Sequence, residues 1–210
     1  MTRSCLALLL AMLSIAAVPA AQSDGWVSLF DGKTLDGWKA SENPSTFSVA
    51  DGAIVVDGPR AHLYYVGPVN NHVFTNFEWK ADVMTTPGSN SGMYFHTEYQ
   101  DSGWPAKGYE VQVNNSHTDW RRTGGLYAIV DVKEPPAKDN EWFTQHIIVN
   151  GKQVTIKVNG TVTAEYTEPA NPERPADMAG RTLGSGTFAL QGHDPESKVY
   201  FKNIMVKVLP

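Results

Sequence analysis

Two Asn-Gly dipeptides, Asn150-Gly151 and Asn159-Gly160, sit inside a run where apolar and polar residues alternate, with Val154, Ile156 and Val158 in one phase. Asn-Gly takes positive φ cheaply at the central positions of a two-residue hairpin loop, whose twist matches that of the flanking strands. The spacing predicts a three-strand meander over 144–149, 152–158 and 161–166. Asp51-Gly52 makes the same prediction for strands at 47–49 and 53–56. Phe77, Trp79, Ala81 and Val83 alternate with Glu78, Lys80 and Asp82, the period of a half-buried strand. In 199–209 the apolar phase slips from odd to even positions near Asn203, as a β-bulge would make it do. Further strands are expected at 25–32 and 124–130, a mixed stretch at 61–74, and loops at 133–140 and 169–180, the last with at most one helical turn. No stretch keeps a helical period. Many short strands joined by turns imply an antiparallel sandwich, because parallel sheets need helical crossovers. No internal repeat or linker interrupts the pattern, so one domain is expected.

The first residues read differently. Met1-Thr2-Arg3 is a short basic start, residues 6–17 are apolar and uncharged, and Val18-Pro19-Ala20 puts small residues where a signal peptidase cuts. This predicts a signal peptide over 1–20 and a domain over 21–210. The apolar run is shorter than the roughly 20 residues of a membrane span. Cys5, the only cysteine, falls inside it, so the processed protein has no thiol and no disulfide and is held by its core. The segment carries Arg3 as its one formal charge, so its removal leaves the chain one unit more acidic than −5. That acidity argues against a nucleic-acid partner, which needs a basic stripe. No later apolar run is long enough to cross a bilayer. The expectation is an exported protein, periplasmic or secreted.

The chemistry concentrates in residues 90–114 and near the C-terminal end. Side chains alternate between faces along a strand. Met93 and Phe95 therefore share one face, and Gly92, Tyr94 and His96 the other. Tyr109, Val111 and Val113 oppose Glu110, Gln112 and Asn114, while Phe188 and Leu190 oppose Gln191 and His193. The shared alternation predicts that Tyr94, His96, Glu110, Gln112, Gln191 and His193 line one polar sheet face open to solvent. Trp104, in the loop between the first two strands, has the shape to stack on a sugar ring. Arg121 and Arg122 read as loop residues that solvation alone would explain. His62, His72, His117 and His146 show no metal-ligand spacing. Gly-x-Ser-x-Gly, phosphate-loop and dinucleotide signatures are missing. Ordinary glycosidases flank the scissile bond with two carboxylates roughly 5–10 Å apart. Two residues after Glu110 stands Gln112, so this strand supplies no second carboxylate.

Seven segments, taken in order, resemble one family. They are Leu29-Phe30-Asp31-Gly32-Lys33-Thr34-Leu35-Asp36-Gly37-Trp38, Asn90-Ser91-Gly92-Met93-Tyr94-Phe95, Gly108-Tyr109-Glu110-Val111-Gln112-Val113, Thr123-Gly124-Gly125-Leu126-Tyr127, Glu141-Trp142, Val158-Asn159-Gly160 and Leu190-Gln191-Gly192-His193. Together they are similar to the 3-keto-disaccharide hydrolase domain. His96 departs from it, standing where an arginine is usual, and Gly192 where an aspartate is common.

The resemblance implies an all-β, concanavalin A-like jelly-roll sandwich with a concave polar sheet face, and a substrate already oxidised at C3 of a glycoside. A C3 ketone acidifies the C2 hydrogen, so one base, one acid and donors on the ketone oxygen replace the paired carboxylates. It implies Glu110 and His193 as the acid/base pair in unassigned order. Gln112, Gln191, His96 and Asn90 then position hydroxyls or the ketone, Tyr94 and Trp104 pack the ring, and a divalent metal is compatible. An exported sugar oxidoreductase would act upstream. The alternatives are a noncatalytic carbohydrate-binding module and a structural sandwich.

Export generates the first testable expectation. The intact mass of the exported protein should correspond to a chain beginning at or near Ala21; a product that still begins at Met1 or Thr2 would contradict it.

Overall fold

Period-2 alternation gives each strand one apolar face, and the fold stacks those faces between two antiparallel sheets. The computed structural model describes residues 24–210. The signal-peptide expectation, with the first residues of the domain, lies outside that range. The strands are β1 (Trp26–Ser28), β2 (Trp38–Ala40), β3 (Phe47–Ala50), β4 (Ala53–Asp57), β5 (Ala61–Tyr65), β6 (Phe77–Thr85), β7 (Ser91–Thr97), β8 (Tyr109–Val113), β9 (Arg122–Leu126), β10 (Val130–Val132), β11 (Phe143–Asn150), β12 (Gln153–Val158), β13 (Thr161–Thr167), β14 (Thr187–Gly192) and β15 (Lys198–Val208). One sheet runs β13-β12-β11-β6-β15-β4-β3 with β1 added on β15. The other runs β10-β9-β8-β7-β14-β5-β2. Among the described residues no helix is long and apolar enough to cross a membrane.

The turn chemistry accounts for the meander. Asn159 and Gly160 both take positive φ and close β12 on β13, with Val158 opposite Thr161. At the other corner Asn150 pairs with Gln153, so the loop is Gly151-Lys152, one residue later than the dipeptide implies. Asp51 and Gly52, both at positive φ, join β3 to β4 as expected. The slip in β15 is a bulge at Asn203, which has φ 50° and donates to Asp82 at 2.7 Å. It lets Val199 and Phe201 before it, and Ile204 and Val206 after it, all enter the core. Two expectations need revision. Residues 124–130 are a hairpin arm and a turn, since β9 ends at Leu126 and folds back as β10. The mixed stretch after residue 61 begins with β5, a strand buried along its whole length.

Between the sheets Phe188 of β14 lies flat between Phe74 and Trp79, with ring centroids 4.3 Å away on each side. Trp79 comes from the facing sheet, so this stack spans the sandwich. All three residues are fully buried, and interiors packed at crystal density relax little around a void. Phe188→Ala should therefore lower unfolding free energy by about 3–5 kcal/mol. Urea unfolding followed by tryptophan fluorescence checks this, and a loss below about 1 kcal/mol would mean that the site collapses to fill the gap.

Candidate functional site

The face of the second sheet turned away from the core is polar in sequence, yet it is not open to water. β7, β8 and β14 are buried on both sides. Loops 98–108 and 169–186 and the turn after β8 rise around it and leave a cleft of about 350 Å³. The register lays the side chains out in rungs. Glu110 stands opposite Tyr94, Tyr94 opposite Ala189, and Gly92 opposite Gln112. Glu110 needs Gly92, because a Cβ there would come within 2.6 Å of its Oε1.

Glu110 is 5 % exposed and fully engaged. It accepts from the Tyr94 hydroxyl at 2.7 Å, from Gln191 Nε2 at 3.2 Å and from Arg181 Nη2 at 3.3 Å. Burial, and then the neighbouring Glu110 charge, push the Tyr94 pKa far up, so its hydroxyl remains a donor. For Arg181, burial works against the charge, but Glu110 and Tyr94 outweigh it and hold the guanidinium protonated. Arg181 Nη1, Gln112 Oε1 and Gln191 Oε1 are buried without a partner, which leaves one donor and two acceptors for a ligand. Gln112 Nε2 donates to Asn90 Oδ1 at 2.7 Å.

His193 follows the end of β14 at the cleft wall. Its Nδ1 lies 2.6 Å from Asp194 Oδ2, and since a carboxylate only accepts, Nδ1 carries a proton, which makes Nε2 the acceptor atom of the neutral ring. Burial raises the Asp194 pKa, but bonds from His193, the Glu196 N–H and Ser197 outweigh it and bring it below the usual carboxylate range. Trp104 stands beside His193 with ring centroids 5.3 Å apart and is 44 % exposed.

His117, His193 and Asp194 bring possible ligand atoms within 4.8 Å of one another. Asp194 Oδ2 takes the His193 proton and the Ser197 hydroxyl at 3.0 Å, and its Oδ1 takes the Glu196 N–H at 2.9 Å. His117 Nδ1 accepts the Asp119 N–H at 3.0 Å. A carboxylate has about four lone-pair sites, so one on Oδ1 stays free beside the Nε2 atoms of the two imidazoles, three ligand atoms of the kind that an open divalent-metal site uses.

Seven of the eight residues singled out from sequence line the cleft: Asn90, Tyr94, Trp104, Glu110, Gln112, Gln191 and His193. His96 does not. Between Tyr94 and Thr97 strand β7 carries one residue more than β14 opposite, and His96 sits in that bulge at φ 55°. Its ring turns beneath Phe77, donates from Nε2 to Thr75 O at 2.9 Å and accepts the Gly184 N–H at 3.2 Å. Strict alternation fails there, and so does its placement on the polar face. Sequence reading also passed over Arg181, Tyr127, Asp119, Asp177 and Asp194. Arg181 arrives from a proline-rich loop with no periodicity to mark it. Asp119 and Asp177, from loops, bring to the cleft the carboxylates that the Glu110 strand itself does not supply. Arg122 is not merely solvated, since its Nη1 donates to Asn114 Oδ1 and His117 O and so shapes the turn after β8.

Two facing antiparallel sheets with a polar cleft on one outer face are the architecture of jelly-roll carbohydrate-binding and carbohydrate-cleaving proteins. The chain belongs to the 3-keto-alpha-glucoside-1,2-lyase-like domain family, whose pattern matches residues 25–207. It is 25 % identical to a 3-keto-disaccharide hydrolase of Bacteroides thetaiotaomicron, over 89 % of this chain and 79 % of that protein. In fold it is similar to the crystal structure of a glycosyl hydrolase homologue from Parabacteroides distasonis, with a TM-score of 0.74 at 23 % identity, covering 93 % of this chain and 99 % of that one. The carbohydrate-binding module CBM66 from Bacillus subtilis shares the fold with a TM-score of 0.57 at 11 % identity, over 81 % of this chain and 95 % of that one. The concanavalin A-like jelly-roll sandwich that the resemblance implied is the fold observed.

The rung continues to His62, opposite Gln191 and fully buried. Burial lowers its pKa to about 3, against the opposing pull of Glu42. An unfolded histidine takes up its proton near pH 6.5. Between these values the unfolded state binds more protons. The stability contributed by the neutral ring is therefore complete above about pH 6.5 and lost as pH falls toward 3, by up to about 1.4 kcal/mol per pH unit. His62→Phe should flatten that limb by close to one proton in urea unfolding between pH 6.5 and 4. Parallel pH profiles for the two proteins would contradict it.

Proposed function

We propose that the protein cleaves 3-keto-glycosides, disaccharides among them, by removing the C2 proton, expelling the C1 substituent and adding water to the product. The observation that carries the reading is that the His193–Asp194 pair opens on the same cleft as Arg181 and Tyr94, with Glu110 holding those two donors in place. The family and the name of the Bacteroides thetaiotaomicron relative support the substrate class.

His193 Nε2, with its lone pair free, takes the proton from C2, and Asp194 stabilises the imidazolium. The C2–H electron pair forms the C1–C2 bond order that expels the C1 oxygen, and the leaving group receives a proton. Arg181 Nη1 donates to the C3 oxygen as negative charge gathers there in the enolate. Water then adds across C1–C2, hydroxide to C1 and a proton to C2, so the net change is hydrolysis. Glu110 works as a carboxylate that anchors Arg181 and Tyr94, and the imidazolium of His193 returns its proton to the departing C1 oxygen. Gln112 and Gln191 offer their free carbonyl oxygens to ring hydroxyls, and Trp104 packs the sugar face. No step runs through a metal. Processing at the N-terminus would put this reaction outside the cytoplasm, downstream of an exported oxidoreductase that makes the ketone.

His193→Ala and Glu110→Gln should each lower turnover of a 3-keto-disaccharide by about 10²–10⁴-fold while melting cooperatively like the parent. Solvent deuterium should appear at C2 of the product, and the unoxidised disaccharide should not react. Cleavage of the unoxidised sugar without exchange would instead favour direct hydrolysis by rim carboxylates such as Asp119 and Asp177. Tight sugar binding without any turnover would leave a binding module.

A further inference from the structure

The cleft occupies only half of the polar face. The Glu110 rung runs on through Tyr94 and Ala189 to Tyr64 of β5 and Lys39 of β2, and Gln191 on the next rung stands opposite His62. Loop 98–108 covers this second half. Tyr99 meets Tyr64 edge-on at 5.3 Å, and Trp104 meets His62 at 5.7 Å. The cover does not satisfy what lies beneath it. Among the described residues both ring nitrogens of His62 and the Tyr64 hydroxyl are buried without a hydrogen-bond partner, whereas Tyr94 on the same rung as Tyr64 is bonded to Glu110. Unpaired buried polar groups are rare because desolvation goes uncompensated.

The loop is held at a few points. At its base the Gly108 N–H donates to Gly180 O at 2.9 Å, the Gly103 N–H reaches Glu42 Oε1 at 3.3 Å, Lys39 lies 3.6 Å over the Tyr99 ring and the Arg60 guanidinium 5.2 Å over the Trp104 ring, while the Gln100 amide bonds only within the loop, to Ser102, Trp104 and Ala106. Trp104 faces both halves, His62 on one side and His193 on the other.

We propose that His62 and Tyr64 floor a second saccharide subsite, uncovered when loop 98–108 lifts, which binds the unoxidised ring of a disaccharide while the oxidised ring fills the cleft. Aromatic walls with polar atoms at their edges suit a pyranose, whose CH face packs on a ring while its hydroxyls meet the imidazole and the phenol. Trp104, carried on the loop, marks where the two halves meet, and the bond between the two sugars falls at that boundary on the His193 side. The identity of the substrate rests on the 3-keto reading; the pyranose subsite itself does not.

The test compares wild type with His62→Phe, Tyr64→Phe and the double variant, each of which keeps the aromatic bulk. The substrates are a 3-keto-disaccharide and a 3-keto methyl glycoside that lacks the second ring. KM for the disaccharide should rise about tenfold in the double variant while the methyl glycoside is unaffected. Equal effects on both substrates, or none on either, would overturn the subsite. If wild type turns over neither substrate, the 3-keto reading fails, and calorimetric titration with an unoxidised disaccharide decides the subsite alone. Binding about tenfold weaker in the double variant sustains it. Unchanged affinity, or no binding to wild type, would mean that His62 and Tyr64 meet only ordered water. The single variants keep the test open should the double one fail to fold.

Discussion

Glu110 leaves the middle of β8 and lies across Gly92, where little solvent reaches it, and a carboxylate in such a place is tolerated only when donors surround it. Tyr94 and Gln191 supply two of them from neighbouring strands. The countercharge cannot come from the sheet, whose adjacent positions are small or neutral. It comes from Arg181 in a loop, so sheet and loop become one unit. That loop is clamped at its base, where Arg174 bonds the hydroxyls of Tyr109 and Tyr166 and the carbonyl of Arg181, while Glu168 takes the Leu183 N–H and the Tyr109 hydroxyl. Tyr109 is itself part of the inter-sheet core. A continuous chain of contacts therefore joins the interior packing to the guanidinium above the cleft.

The scaffold was legible in the sequence because its determinants are local. Asn159-Gly160 and Asp51-Gly52 state their turns outright, and the slip at Asn203 declares its bulge through the change of phase. The bulge in β7 gives no such sign. His96 follows Tyr94 by two, and nothing in the neighbouring residues reports that β7 carries an extra residue against β14. The sheet-borne part of the cleft followed from alternation, since Glu110, Gln112, Tyr94 and Gln191 each sit opposite an apolar neighbour. Arg181, Asp119 and Asp177 come from loops, where position in sequence says nothing about direction in space. Asp194 was adjacent to a residue already singled out, and a histidine followed by an acid is a signal that could have been read.

The proposed reaction would attack a glycosidic bond without a strand-mounted carboxylate pair. Gln112 occupies the place where sandwich glycosidases would carry a second acid, and its amide is spent on Asn90. In that proposal the mobile proton is left to His193, whose orientation Asp194 fixes through Nδ1. Charge stabilisation is left to a guanidinium whose own geometry Glu110 fixes. Each of the two working groups thus has a dedicated acidic neighbour, and neither acid needs to touch the bond.

The clamp at Arg174 has a bearing on how proteins of this kind can diversify. The residues on the sheet rungs are partners of one another, so replacing any one leaves another stranded, and they are free to change only together. The segment between Arg174 and Arg181 is held at its two ends and contributes no strand to either sheet. Gly180 must stay small, since a side chain there would strike the Ala106 carbonyl, but residues 175–179 are exposed or half-buried and can vary in size and polarity at small cost to folding while Arg181 is still delivered to the same place. Variation is thereby channelled into the rim, and the part of the molecule that screens what enters the cleft can drift while the part that handles the charge stays fixed.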